Sequence, residues 1–197
     1  MSGDADLVLW QFIRAAGLVS YILLTASVLA GISLKSRLLD GTINRPWVYE
    51  AHRSTTLAAL AVLGFHVALV LLNRHVPFSL AAVVVPFVSG WRPLPTALGI
   101  LALYLAVSLT ATTYGQRRIG YRTWRLFHYL GFAAWGIALA HGLTAGTDSG
   151  LRAVDALYWG SAAAVLFVTA YRLLLPLPPA PGPESFQPDA GGRTTLT

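Results

Sequence analysis

The chain has 197 residues, of which 55% are hydrophobic and only 11% are charged. Its mean hydropathy is +0.61, which is typical of a membrane protein and not of a soluble domain. The formal charge of +6 comes from 13 arginines and one lysine that lie between apolar segments. These charges indicate membrane topology, and no nucleic-acid surface is expected. The absence of cysteine excludes disulfides, thiolate ligands and cysteine-type zinc sites.

Five segments are apolar over the roughly 20 residues that a helix needs to cross a bilayer core. They cover residues 7–33, 50–72, 94–114, 123–144 and 151–175. The apolar run 78–90 is shorter and contains Pro86, so we place it in an interfacial or re-entrant loop, with a sixth short span as the alternative. The sequence therefore predicts an all-α integral membrane bundle of five transmembrane helices over residues 1–176. A disordered cytoplasmic tail rich in proline and glycine is expected at 177–197.

Basic residues concentrate in two of the loops. The loop after the first span has Lys35, Arg37 and Arg45, and the loop before the fourth has Arg117, Arg118, Arg122 and Arg125. Because positively charged loops stay on the cytoplasmic side, we expect the N-terminus outside and the C-terminus inside. The predicted location is a cell membrane, most simply the bacterial cytoplasmic membrane, and spans two and four then both run from inside to outside.

Four of the five histidines lie in spans two and four. His52 and His66 are 14 positions apart, and His128 and His141 are 13 positions apart. Each helix therefore separates its two imidazoles by roughly 20 Å along its axis. Matching the helices by depth pairs His52 with His128 near the cytoplasm and His66 with His141 near the outer side. The fifth, His75, is interpreted as an interfacial residue, with a substrate-side or metal-capture role as the alternative.

Two facing imidazoles without a nearby thiolate or carboxylate suit the two axial positions of an iron porphyrin. The sequence thus predicts two b haems, with His52 and His128 on the inner iron and His66 and His141 on the outer iron. A zinc or copper site would need three or four converging ligands, often at i, i+3 or i+4 spacing. Two alternatives stay open: histidines satisfied structurally by neighbouring helices, and a transporter that uses them for metal ions or protons.

The 13-residue step in span four does not fit a straight helix. Fourteen residues at about 100° each place His52 and His66 on one face, whereas thirteen leave His128 and His141 roughly 140° apart. We therefore expect a distorted helix around residues 131–136, or two haem planes on different flanks of this helix.

The segments HRSTTLAALAVLGFHV and RRIGYRTWRLFHYLGFAAWGIALAH resemble the ferric reductase-like transmembrane domain, the haem-bearing membrane core of ferric reductases and NADPH oxidases. The resemblance covers approximately residues 15–170, and the start of span four is also similar to the haem subunit of bacterial methionine-sulfoxide reductase. In that family two helices carry two histidines each at this spacing. The resemblance implies the same two pairs, an inner haem on His52 and His128 and an outer haem on His66 and His141.

The chain departs from that family in two ways. The family core usually has six spans, and the pattern here lacks the first, which agrees with an outside N-terminus. No flavin or nicotinamide domain follows, and no GxGxxG fingerprint is present. We therefore expect a transmembrane cytochrome b that takes electrons from a separate flavoprotein or a membrane quinol and passes them to an outer acceptor. The alternative in the same class is a quinol-linked haem subunit that anchors a partner reductase.

Several other side chains are candidates near the histidines. Arg53, Arg122 and Arg125 lie at the inner depth, where haem propionates would need cationic partners; the alternative is that they only set topology. Arg14 lies two turns inside span one and is expected to snorkel to the interface, with an outer propionate or a substrate as the alternative. The aromatic residues around the histidines are expected to pack the bundle or to belong to the aromatic belt, with a position between the haems as the alternative for Phe65 or Trp135. They are Trp124, Phe127, Tyr129, Trp135 and Phe65.

Overall fold

The computed structural model describes residues 2–36, 39, 42–74 and 76–174. The predicted tail at 177–197, His75 and Arg37 lie outside the described residues. The described chain forms eight helices and no strand. They are α1 (Ser2–Ser36), α2 (Arg45–Leu72), α3 (Leu80–Val84), α4 (Pro93–Tyr114), α5 (Gln116–Ile119), α6 (Tyr121–His128), α7 (Leu130–Ala145) and α8 (Arg152–Leu174).

In the part of the chain that the structure describes, five helical segments are long and apolar enough to cross a membrane. They are Asp6–Ser36, Arg45–Leu72, Pro93–Tyr114, Tyr121–Ala145, which joins α6 and α7, and Arg152–Leu174. The all-helical prediction and the number and order of the five spans are confirmed at this level. The apolar run 78–90 forms only the five-residue α3, so no sixth span is found among the described residues.

Local sequence explains where these helices begin and end. Pro46 and Pro93 stand in the first turns of α2 and α4, where the missing amide hydrogen leaves no helical bond unmade. Ser79 caps α3, because its hydroxyl accepts a hydrogen bond from the amide of Ala82 at 3.1 Å. Gly120, with φ of 80°, ends α5, since glycine adopts this backbone conformation without a steric penalty.

The two histidine-bearing helices pack on different partners. α1 lies along α2 and also contacts α7 and α8, while α4 lies along α7. Among the described residues, α2 and α7 are not packed along each other. The space between them is consequently available to the side chains that both helices direct inward.

A cluster of buried side chains lies between α1, α7 and α8. Its buried members are Tyr21, Ile32, Trp135, Tyr158 and Val165. Trp135 stacks on Tyr21 with 6.4 Å between ring centroids and donates its indole hydrogen to Thr25 Oγ1 at 2.9 Å. Because lipid tails are as apolar as the side chains, such packing and hydrogen bonds hold membrane helices together. Trp135 is therefore a packing residue on the α1 side, as expected for most of the aromatic residues.

The fourth span is irregular directly after His128. α6 ends there, α7 begins at Leu130, and the amide of Phe132 donates to the Tyr129 carbonyl at 3.2 Å in an i to i+3 bond. A tight turn of this kind changes the angular offset between residues on its two sides. The sequence predicted a distortion at 131–136; the structure has one about two residues earlier, and α7 continues unbroken through that range.

Candidate functional site

Three histidines make the same contact, in which Nδ1 lies within hydrogen-bonding distance of a main-chain carbonyl oxygen on a neighbouring helix. The pairs are His52 with Ser27 at 2.8 Å, His66 with Ile13 at 2.9 Å and His141 with Pro95 at 2.8 Å. Because a carbonyl oxygen only accepts, Nδ1 must carry the proton and donate it. In a neutral imidazole the lone pair then lies on Nε2, which is the atom left to bind a metal ion.

The inner pair consists of His52 on α2 and His128 on α6. Their ring centroids lie 6.0 Å apart, and the ring planes are inclined by 78°. Two imidazoles bound to one metal ion, with metal–nitrogen bonds of about 2 Å, place their centroids roughly 6 Å apart. The structure therefore brings these two histidines to the separation that two ligands of one ion would have.

His128 is supported differently from the other three histidines. Its Nδ1 is buried and has no hydrogen-bond partner among the described residues. Its ring stacks instead on Trp124, one helical turn earlier, with 4.8 Å between centroids and 27° between planes. The position of this imidazole thus depends on ring packing and not on a hydrogen bond.

The pair predicted at the outer side, His66 and His141, lines a cavity. Its walls come from α1, α2, α4, α7 and α8, from α3 with the segments on either side of it, and from the turn before α8. The cavity has a volume of about 210 Å³ and is partly open to the surroundings. Its walls are largely apolar, with Ile13, Leu63 and Leu103 among the lining residues. This volume lies below the roughly 300–1,000 Å³ of most ligand pockets, so the apolar lining and the two imidazoles, and not the size of the cavity, favour an apolar ligand that binds through nitrogen.

Arg14 lines the same outer cavity. Its Nη1 forms an ion pair with the carboxylate of Asp148, in the turn between α7 and α8. Its Nε is buried and has no hydrogen-bond partner among the described residues. The guanidinium thus contacts a carboxylate in the turn that follows α7, and one N–H group is available to an anionic part of a ligand. The expected snorkelling to the interface stays a prediction.

The three arginines predicted at the inner depth are exposed. Arg53 pairs with Glu50 at 3.4 Å, and the guanidinium of Arg125 lies 5.7 Å from the ring centroid of Tyr121. Arg122 forms no ion pair with any residue that the structure describes. These side chains lie at the same end of the bundle as the inner histidine pair, and none lines the outer cavity.

Sequence reasoning missed the partners of the histidines on α1 and α4. Every residue has a main-chain carbonyl, so residue type does not reveal which carbonyl accepts a hydrogen bond from a histidine. One signal was available: Ile13 and Ser27 are 14 positions apart, the same spacing as His66 and His52. Two helices that run side by side preserve such a spacing, since both rise by the same amount per residue.

The fold and these contacts define a helical protein with five potential membrane spans and paired inward histidines. No protein-family model, curated protein or solved structure matches the chain. No group of three or more His, Cys, Asp or Glu side chains that could hold a metal ion occurs in the described part of the chain. The interpretation of the site accordingly depends on the paired histidines themselves.

Proposed function

We propose that this chain is a multi-pass membrane cytochrome b with two haems, which carries electrons from a cytoplasmic donor to an acceptor on the outer side. His52 and His128 would hold one haem, and His66 and His141 the other. One contact that three histidines share carries the proposal. In His52, His66 and His141, Nδ1 donates to a main-chain carbonyl, and the lone pair of Nε2 is left to bind a metal ion. A b haem, when bound, supplies a one-electron carrier whose two axial positions accept such nitrogens.

The chain's own residues fit such a ligand in three ways. The 6.0 Å between the centroids of His52 and His128 suits two axial ligands of one iron. The apolar walls of the outer cavity would exclude water and favour a flat, apolar ring system. Arg14 offers its free Nε–H group to a carboxylate at the outer end, and exposed arginines offer cationic groups at the inner end.

The inner arginines, Arg53, Arg122 and Arg125, also support the proposed orientation, with the N-terminus outside and the C-terminus inside. A reporter enzyme that is active only in the cytoplasm is expected to be active when fused after residue 174. The same reporter fused ahead of residue 7 should be inactive. The reverse pattern would contradict the orientation and would exchange the inner and outer sites. It would leave the histidine pairs themselves unaffected.

The electron donor and the acceptor are proposed as separate molecules. A separate flavoprotein or a membrane quinol would deliver electrons on the cytoplasmic side. The resemblance of the two histidine-bearing segments to the ferric reductase-like domain supports the same direction of transfer.

The optical spectrum of the purified protein tests the proposed function. After expression with an adequate haem supply, the protein in detergent should show a b-type absorption that changes on reduction with dithionite. The amount should correspond to about two haems per chain, since one iron takes two axial imidazoles. Membranes from cells without the expressed protein provide the background. A folded, monodisperse protein without reducible b-type absorption would contradict the proposal.

A further inference from the structure

A glycine lies opposite each histidine that donates to a carbonyl, and the accepting carbonyl belongs to the residue four positions before that glycine. A Cβ atom added at any of these glycines would lie close to the Cε1 atom of the facing imidazole. The distance would be 3.3 Å between Gly17 and His66, 3.2 Å between Gly31 and His52, and 2.7 Å between Gly99 and His141. We call each such pair, a glycine and the carbonyl one turn earlier, a glycine notch. The three notches are Ile13–Gly17, Ser27–Gly31 and Pro95–Gly99.

Helix geometry explains why the glycine and the carbonyl belong together. In an α-helix the carbonyl of residue i−4 accepts the amide hydrogen of residue i, and its second lone pair stays available. A side chain at residue i stands beside that carbonyl and restricts access to it. Glycine has no Cβ and lets an imidazole lie against the backbone, although it costs about 1 kcal/mol relative to alanine inside a helix.

The notches follow a regular spacing, and one position in that spacing lacks a glycine. Gly17 and Gly31 are 14 positions apart on α1, as are the two histidines of α2 that they face. The histidines that face α4 are 13 positions apart, and the residues 13 and 14 positions after Gly99 are both threonines, Thr112 and Thr113. A fourth notch in this pattern would serve His128, but the chain has a threonine there in place of a glycine.

The contacts of these threonines explain why the Nδ1 of His128 has no carbonyl partner among the described residues. The carbonyl one turn before Thr113 is that of Leu109, and it accepts hydrogen bonds from the hydroxyls of Thr112 and Thr113, each at 2.9 Å. Thr113 Oγ1 also accepts the indole hydrogen of Trp124 at 3.2 Å, and Trp124 stacks on His128. Thr113 therefore orients His128 through the ring of Trp124. The Nδ1 of His128 has no hydrogen-bond partner among the described residues.

We propose that Gly17, Gly31 and Gly99 are positioning residues that set the tautomer and direction of three ligating imidazoles, and that the missing fourth notch makes the two haem sites unequal. The inference rests on the proposed function, because it assumes that the imidazoles hold haem. A hydrogen bond to the second ring nitrogen orients a ligating histidine and raises its basicity. The outer site, with both ligands in notches, then binds haem more tightly than the inner site, which has one.

Alanine substitutions at the three glycines test the notches. Gly99→Ala should weaken outer-site binding by roughly 10–100-fold, the effect typical of losing a partner of a metal-bound histidine. Gly17→Ala should weaken the same site less, because its contact of 3.3 Å needs a smaller shift than the 2.7 Å at Gly99. Gly31→Ala should affect the inner site alone. The matched controls are Gly64→Ala and Gly136→Ala, on the histidine-bearing helices, where an added Cβ meets nothing within 4 Å.

The measurements are the haem-to-protein ratio during a haem titration and the low-spin ferric electron paramagnetic resonance signal of each site. The signals are assigned with single histidine variants of each pair. In the unsubstituted protein the outer signal should appear first at limiting haem. Circular dichroism in the helical region shows whether each variant folds. If Gly99→Ala does not fold, the milder Gly17→Ala variant tests whether the notches position the ligands of the outer site.

The possible failures are distinguishable. If the unsubstituted protein binds no haem, the proposed function is wrong. If it binds two haems but both Gly17→Ala and Gly99→Ala match the Gly64→Ala control in affinity and resonance signal, the notches do not position the ligands. If both sites fill equally at limiting haem, the proposed difference in haem affinity between the outer and inner sites is wrong, even if the glycine variants behave as expected.

Discussion

Replacing His141 with alanine is expected to lower the haem content from about two to about one per chain, since an iron bound through two imidazoles loses half of its protein ligation. The remaining haem should belong to His52 and His128, because the two levels lie roughly 20 Å apart along the helices. His52→Ala should show the converse loss. The combination of both substitutions should remove nearly all reducible b-type absorption from a protein that still folds.

Phe167→Ala is the matched control for these histidine variants. Phe167 lies on α8, and 68% of its surface is exposed, so its removal should leave about two haems per chain. The spectra and haem assays are compared at equal protein concentration. A folded His141→Ala protein that keeps both haems would exclude His141 as a ligand. Loss of both haems from that variant would show that the two sites are not independent.

Trp135→Ala should destabilise the bundle by about 3 kcal/mol, near the lower end of the cost of removing a buried aromatic side chain. Only 7% of Trp135 is exposed, and the substitution removes both the stacking on Tyr21 and the hydrogen bond to Thr25. The lower end is expected because lipid provides an apolar environment for the separated helices, so that packing and hydrogen bonding account for most of the loss.

Unfolding in detergent, followed by the loss of helical signal, measures this effect. Trp135→Phe keeps a ring against Tyr21 but loses the hydrogen bond, so it should cost only about 1 kcal/mol. Trp159→Ala is the control, because 64% of Trp159 on α8 is exposed. Equal stability of the Trp135→Ala and Trp159→Ala proteins would contradict a structural role for the buried cluster between α1, α7 and α8.

The large elements could be predicted because each depends on a property of a short stretch of chain. A spanning helix needs about 20 apolar residues, since its backbone groups must be satisfied internally in a bilayer. The match of the five predicted spans with the long helices follows from that requirement. The pairing of His52 with His128 could be inferred by depth, because residues at equal heights on helices that run in the same direction lie at the same level.

The helix break in the fourth span could be predicted only in part. The 13-residue step demanded a change of angular offset between His128 and His141, and glycines suggested a location at 131–136. The structure instead makes the tight turn beside His128, around Tyr129. The spacing of His128 and His141 shows that the helix between them cannot be regular throughout. Which residue departs from helical geometry depends on the contacts of both flanking segments.

The sequence by itself determined the apolar spans, their order and the depths of the four histidines, because these depend on residue type and on the constant rise of a helix. Only the tertiary structure decided which carbonyls receive the imidazole hydrogens, that Arg14 pairs with Asp148 in the turn after α7, and that Thr112 and Thr113 donate to the carbonyl of Leu109. These contacts depend on the rotation of α1 and α4 about their axes. That rotation is set by the packing of all the helices together, so no single segment specifies it.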